Sequence, residues 1–287
     1  MRWLNWLKDR VAGEPPAIPT ALWQTTLSRL PFLAYLSEDE QLRLKSLTEQ
    51  LLHKKPFTGI KSFELSDEMA VPIATQAALL VLNLSLDLYD DLSAVIVVPD
   101  AFPIRQRVTD DTGVVHEWDD LLAGEAVDMG GAVLLSWPDI APPASDDERP
   151  LHNVVIHEFA HKIDMGRGGA NGYPPFLAGY HLRADFLDWP QAFGTAYEDF
   201  CRRVDELENR LSEDVDPDPL SQAERYAALT ASLPMDHYAA IDPAEFFAVA
   251  SESFFVTPVP LATAYPAVYR LLSRYYQQDP LAGMRLV

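Results

Sequence analysis

His157-Glu158-Phe159-Ala160-His161 holds two imidazoles and a carboxylate at the spacing from which metal-assisted hydrolysis can be built. On a helix, side chains four residues apart stack on one face, so two imidazole nitrogens from successive turns can reach one ion. Zinc suits such donors and brings the pKa of a water toward ~7; Glu158, beside the first imidazole, can take the proton as that water attacks a carbonyl. The bland alternative is two solvated histidines and an exposed glutamate. With 7 His in 287 residues, chance produces the five-residue pattern in about one such chain in a hundred, which favours the metal.

A catalytic zinc site needs a third protein donor and one open position. The short extension with a third histidine six residues after the second is absent, because position 167 is Arg. The donor must come from a later helix, and Asp242 to Glu252 (DPAEFFAVASE) reads as one. Glu245 and Glu252 are seven apart and share a face, about two turns from each other. Glu245 could instead close a capping box with Asp242, and Glu252 could be a surface carboxylate or a support for a ligand. Helix grammar leaves the two open. His237 is a further alternative ligand. Tyr238 offers a phenol that could donate to a developing oxyanion, or an aromatic ring that only packs. Asp164, three residues past His161, could support an imidazole N–H or simply end its helix.

These residues need elements to hold them. Asp146 or Asp147 can cap the helix entering the histidines, Pro150 suits its first turn, and Gly166 suits its stop. Leu151, Val155, Phe159 and Ile163 form an apolar ridge beside the imidazoles. Upstream, residues 1–20 are a lead-in that ends in the Pro-rich 11–20. Ser37-x-x-Glu40 is a capping-box pattern, and leucines 44, 47 and 51 carry a helix to about His53. A second helix begins near Ser66-Asp67-Glu68 and runs past Pro72 through the apolar 77–82. Ala94–Val98 is a buried strand, Ile104–Val108 and Val114–Glu117 flank a hairpin turn, and Ala132–Trp137 is a strand before the loop 138–143. That last strand is either a core strand or an edge onto which an extended peptide adds. Asn171–Pro175 either lines a cleft or redirects the chain. From Pro150 onward the chain is mainly helical, with Asp216-Pro-Asp-Pro219 as a loop. The order predicts an α+β fold, mainly helical, with a small mixed sheet beside the metal helix. The expected organisation is one catalytic domain over 21–287: a helical part 21–90, a sheet 91–140 and metal-site helices 146–287.

Composition narrows the partners. The 22 basic and 43 acidic residues give a formal charge of −21, which argues against nucleic acid and anionic membrane. The single cysteine, Cys201, cannot form an intramolecular disulfide and reads as a packing residue in a reducing compartment. The N-terminal MRWLNWLKDR has no continuous apolar run and does not read as a signal peptide. The apolar 77–88 is broken by Asn83, Ser85 and Asp87, far short of the ~20 residues that span a bilayer. A cytoplasmic protein is expected.

Three segments resemble a known family: HEFAHKIDM at 157–165, GAVLLSW at 131–137, and Tyr238 to Glu252 (YAAIDPAEFFAVASE). They are similar to the Mlc titration factor A family, zinc-dependent metallopeptidases of gluzincin type whose zincin-like catalytic core is related to anthrax lethal factor. The resemblance runs from about Leu22 to about Tyr276. It implies one Zn2+ per chain held by His157, His161 and Glu245, Glu158 as catalytic base and Tyr238 as active-site tyrosine. It is the resemblance, not the spacing, that selects Glu245 over Glu252. It also implies a peptide substrate, aminopeptidase activity, and the Mlc repressor of the glucose phosphotransferase system as a partner. The stretch between His161 and Tyr238 is longer than in enterobacterial members, with the acidic 212–219 as the insertion. A non-catalytic zinc-containing regulator is the alternative; Glu158 and Tyr238 favour catalysis, since metal binding alone requires neither.

Overall fold

The computed structural model describes residues 17–60, 63–99, 102–109, 115–122, 124–125, 131–141, 152–213, 225–226 and 228–284. Helix α1 (Thr20–Arg29) and a 3-10 turn (Pro31–Tyr35) lead into α2 (Glu38–Lys54). The expected capping box forms: Ser37 Oγ accepts the Glu40 N–H at 3.3 Å, and Glu40 Oε2 accepts the Ser37 N–H at 2.9 Å. Leu44 and Leu51 are buried on one face of α2, as the leucine spacing requires, and Leu47 packs against the same core.

Strand β1 (Phe57–Gly59) follows, then α3 (Asp67–Leu80), buried on almost every side from Ala70 onward. A helix that is apolar all round belongs in the middle of a core, and α3 takes that place. Pro72 lies inside it, without the N–H that would have bonded the carbonyl four residues back. That carbonyl, of Glu68, accepts instead from Arg29 Nη1 at 3.4 Å.

The remaining strands are β2 (Val95–Val98), β3 (Phe102–Thr109), β4 (Val115–Leu122), β5 (Gly124–Glu125) and β6 (Val133–Ser136). Four of them form one sheet in the order β1-β2-β6-β5, the first three parallel and β5 antiparallel to β6. The α3 crossover between β1 and β2 is what parallel pairing demands. β3 and β4 form a separate antiparallel ladder from Phe102↔Leu122 to Thr109↔Val115, longer than the hairpin expected from Ile104–Val108 and Val114–Glu117. Of the two readings open for the strand around 132–137, the inner one holds: β6 has β2 on one side and β5 on the other, and among the described residues the edge belongs to β5.

After a short helix α4 (Trp137–Ile140), the chain is helical: α5 (Val154–Asp164), α6 (Arg183–Glu213), α7 (Pro243–Val256), α8 (Pro258–Ala264), α9 (Pro266–Tyr276) and α10 (Pro280–Met284). Each of the last four opens on proline, whose missing N–H costs nothing in a first turn. α5 packs against α3, β5, β6 and α7, so the sheet and the later helices meet along it. The fold is α+β, mainly helical, with a small mixed sheet beside α5, as the element order suggested. Among the described residues no helix is long and apolar enough to cross a membrane. The expectations for the lead-in over 1–16, for Asp146, Asp147, Pro150 and Leu151, and for 214–219 lie outside the described residues.

Candidate metal centre

The helix that carries the histidines starts at Val154, and Asn153 caps it: its Oδ1 accepts the Ile156 N–H at 3.0 Å. Asn153 also donates from Nδ2 to Gln76 Oε1 on α3 at 2.6 Å, and from its backbone N–H to Glu252 Oε1 on α7 at 2.5 Å. The first turn of α5 is thus tied to two neighbouring helices. Val155, Phe159 and Ile163 are fully buried, the ridge read from the sequence. Lys162 is buried as well, with Nζ 2.7 Å from Asp91 Oδ2 ahead of β2. The α-helix ends at Asp164, with Gly166 just beyond it as the sequence suggested. A 3-10 turn (Met165–Arg167) follows, and the chain breaks away at Gly168, whose φ of 135° favours glycine.

Glu245 comes from the first turn of α7. Asp242 caps that turn, its Oδ1 accepting the N–H of Ala244 at 2.7 Å and of Glu245 at 2.9 Å. The Glu245 side chain faces α5 instead of closing a capping box. Its Oε2 lies 3.1 Å from His157 Nε2 and 3.2 Å from His161 Nε2, and the two Nε2 atoms are 3.1 Å apart. A triangle of this size is one face of a tetrahedron whose centre is about 1.9 Å from each corner, close to the ~2.0–2.1 Å of zinc–nitrogen and zinc–oxygen bonds. The donors therefore fit one small cation with a fourth position left for a ligand. Among the described residues this is the one group of three or more such side chains that could hold a metal.

Charge is arranged to match. Burial opposes ionisation of Glu245, but the hydrogen bonds to His157 and His161 outweigh it and hold its pKa down at about 2. Burial lowers the pKa of His157. Burial also pulls His161 down, yet Glu245 prevails and raises it. The Glu245 carboxylate thus favours positive charge at His161, on the side where a cation would sit.

Glu158 is buried, on the residue following His157. Tyr238 lies on a 3-10 turn (His237–Ala240) before α7, its ring centroid 6.0 Å from that of His157. The fold thus gathers His157, His161 and Glu245 into one group, with the Tyr238 ring beside His157. His237 does not join the triangle; its Nε2 meets the Tyr226 hydroxyl at 3.1 Å and its Nδ1 is 3.4 Å from Asp236 Oδ1. Glu252 is no surface group. It is buried between the helices, with Oε2 3.8 Å from His157 Nδ1, longer than a hydrogen bond. Burial pushes its carboxyl up to about 8, against the pull of the Asn153 N–H.

Asp164 is the helix-end carboxylate, the last residue of α5, and it also secures a loop. Its Oδ2 accepts the N–H groups of Asn171 and Gly172 at 2.7 and 2.6 Å. Among the described residues, neither its Oδ1 nor His161 Nδ1, both buried, has a hydrogen-bond partner, so the two do not bond each other. The loop it secures is part of the frame: a Cβ at Gly172, where φ is 79°, would lie 2.4 Å from the Pro243 carbonyl oxygen in the first turn of α7. Cys201 packs beneath the tyrosine turn, its Sγ 3.6 Å from the Ala240 carbonyl oxygen. Asp236, which caps that turn, was missed; the signal available was an aspartate two residues ahead of Tyr238.

The family model for glucose-regulated metallo-peptidase M90 matches residues 3–277. The chain belongs to that family. Its relatives cover nearly all of it. An uncharacterized protein of Synechocystis sp. is 36% identical over 282 residues, 97% of this chain and 90% of the relative. Mlc titration factor A of Serratia proteamaculans is 34% identical over 275 residues, 95% and 92% of the two chains. Mlc titration factor A of Yersinia pestis is 34% identical over 285 residues, 98% and 93%. As an M90 chain the protein is of metallopeptidase type, and a peptidase of this type works with a metal ion that the triangle on α5 and α7 suits.

Proposed function

We propose that this M90 chain is a zinc-dependent peptidase of gluzincin type, with His157, His161 and Glu245 holding the ion. The observation that carries the reading is the three-sided donor set drawn from two helices, with edges of 3.1 to 3.2 Å. Zinc bound there would supply an acidified water and polarise the peptide carbonyl.

The chain's own groups divide the remaining work. Glu158 accepts a proton from the water as its oxygen bonds to the carbonyl carbon. The Tyr238 hydroxyl donates to the oxyanion that this addition creates, at a point where the substrate carbonyl makes weaker demands. Glu158 then passes its proton to the amide nitrogen, the C–N bond breaks, and the acid's remaining proton moves to the amine, so that a carboxylate and an ammonium leave. An extended peptide can add as a further strand to the outer edge of β5, which packs beside α5. Action at chain ends, as an aminopeptidase, follows from the family resemblance.

A second role rests on the relatives named Mlc titration factor A. The chain's charge of −21 would complement a basic surface on an Mlc-like repressor, and such a partner places the work in the cytoplasm. A purely regulatory zinc protein would have no use for Glu158 and Tyr238 beside the triangle.

Glu158→Gln separates the readings. Elemental analysis should find zinc bound as in the wild type, while hydrolysis of amino-acid 4-nitroanilides and quenched peptides disappears, because the amide cannot accept the proton. Near-wild-type turnover would sink the peptidase mechanism.

A further inference from the structure

A four-residue 3-10 turn has little stability of its own and keeps its place only if both ends are pinned. The turn that carries Tyr238 is pinned in this way. At its far end the Ala240 carbonyl accepts from the Tyr197 hydroxyl at 3.3 Å and from Cys201 Sγ at 3.6 Å. At its near end Asp236 Oδ1 accepts the Tyr238 N–H at 2.7 Å. The other oxygen of the same carboxylate, Oδ2, lies 3.3 Å from His152 Nε2. His152 directly precedes Asn153, the cap of α5, while Asp236 is largely buried and His152 half-exposed.

One carboxylate therefore touches both segments of the site: the chain entering the helix of His157 and the turn of Tyr238. We infer that Asp236 is a positioning residue, which fixes the Tyr238 hydroxyl relative to His157, His161 and Glu245 by capping the tyrosine turn and fastening it to His152. The inference rests on the peptidase reading above. A donor to an oxyanion has to sit within 2.7–3.1 Å of it, and a displacement of about 1 Å can cost on the order of 10²-fold in rate. Asp236 touches no donor atom of the triangle, so its effect is exerted through Tyr238.

A double-mutant cycle on the zinc-loaded protein tests this, with kcat, KM and zinc content measured on a 4-nitroanilide or quenched peptide that the wild type cleaves. Asp236→Ala should keep its zinc and its KM within about threefold while kcat falls about 10–100-fold. Asparagine can still cap the turn and bond a neutral imidazole, so Asp236→Asn should recover kcat to within about threefold of wild type. In a Tyr238→Phe background, Asp236→Ala should cost less than about twofold further, because the group it positions is already gone. Effects that multiply, or a loss carried by zinc content or KM, would overturn the inference and leave the peptidase reading intact. Unchanged turnover in Tyr238→Phe alone would overturn the inference together with the role given to Tyr238. If Asp236→Ala does not fold, Asp236→Glu replaces it: the charge stays, the reach changes by one methylene, and its effect must likewise vanish beside Tyr238→Phe.

Discussion

The backbone N–H of Asn153 meets Glu252 Oε1 at 2.5 Å, so a buried carboxylate on the third-donor helix α7 holds the first turn of the histidine helix α5. The two elements that carry His157 and Glu245 are joined there and again at the donor triangle, two turns of α7 away. This joint has a pH signature. Burial raises the Glu252 pKa from 4.5 to about 8 in the folded chain. Between those values the folded state keeps a proton that the unfolded state releases, so the group's contribution to stability declines as pH rises through that window. Glutamine keeps an acceptor for Asn153 and cannot ionise. In metal-stripped protein, Glu252→Gln should therefore gain stability relative to wild type between pH 5 and pH 8, on the order of 2–4 kcal/mol. Urea melts at the two pH values, with chelator present, measure it. An unchanged difference would mean that Glu252 is ionised throughout.

Zinc and protons compete for the same triangle. Glu245 stays ionised down to about pH 2, whereas His161 has its pKa raised by Glu245. Zinc uptake must displace the His161 proton, so affinity should already fall as pH drops through a point above the ordinary imidazole value of 6.5, and uptake should release protons. Competition with a chromophoric chelator across pH 5 to 8 reads the slope; a flat profile would exclude the imidazoles as ligands. His161→Ala should bind less than about a tenth of the wild-type zinc at micromolar metal and show no hydrolysis, because two donors cannot close a catalytic site. Bound zinc should also raise wild-type stability by about 2.7 kcal/mol at a hundredfold excess over its Kd.

Much of this site was legible because helices write their geometry into spacing. The four-residue step from His157 to His161 and the Asp242-Pro243 start of α7 each name a face or an end. The choice between Glu245 and Glu252 was not legible, since seven residues put both on the same side of α7. What separates them is which turn of α7 lies against which turn of α5, a matter of packing between distant segments. The same holds for β5. Two residues, Gly124 and Glu125, carry no strand periodicity, yet they pair with Leu135 and Leu134 and move the sheet edge away from β6. The cap of α5 was not singled out, although Asn153 directly ahead of the apolar ridge carries a helix-start signal. Asp164 carried a plausible ligand-support reading, but its carboxylate is taken by two backbone N–H groups that only the returning loop supplies.

Tyr238→Phe tests the last member of the site. The ring stands 6.0 Å from His157 and is partly buried, so phenylalanine keeps the packing and removes only the hydroxyl. The hydroxyl is assigned to an oxyanion that exists only once water has added, so affinity for the substrate should hardly change. Loss of one such donor corresponds to a fall on the order of 10²–10³ in kcat, with KM within a few-fold and zinc retained. An aromatic that only packs predicts no change, because the ring remains. Steady-state kinetics beside elemental analysis distinguish the two. A normal kcat would remove Tyr238 from the chemistry and leave the transition state to the ion and Glu158 alone; a raised KM at constant kcat would make it a binding contact to the uncleaved peptide.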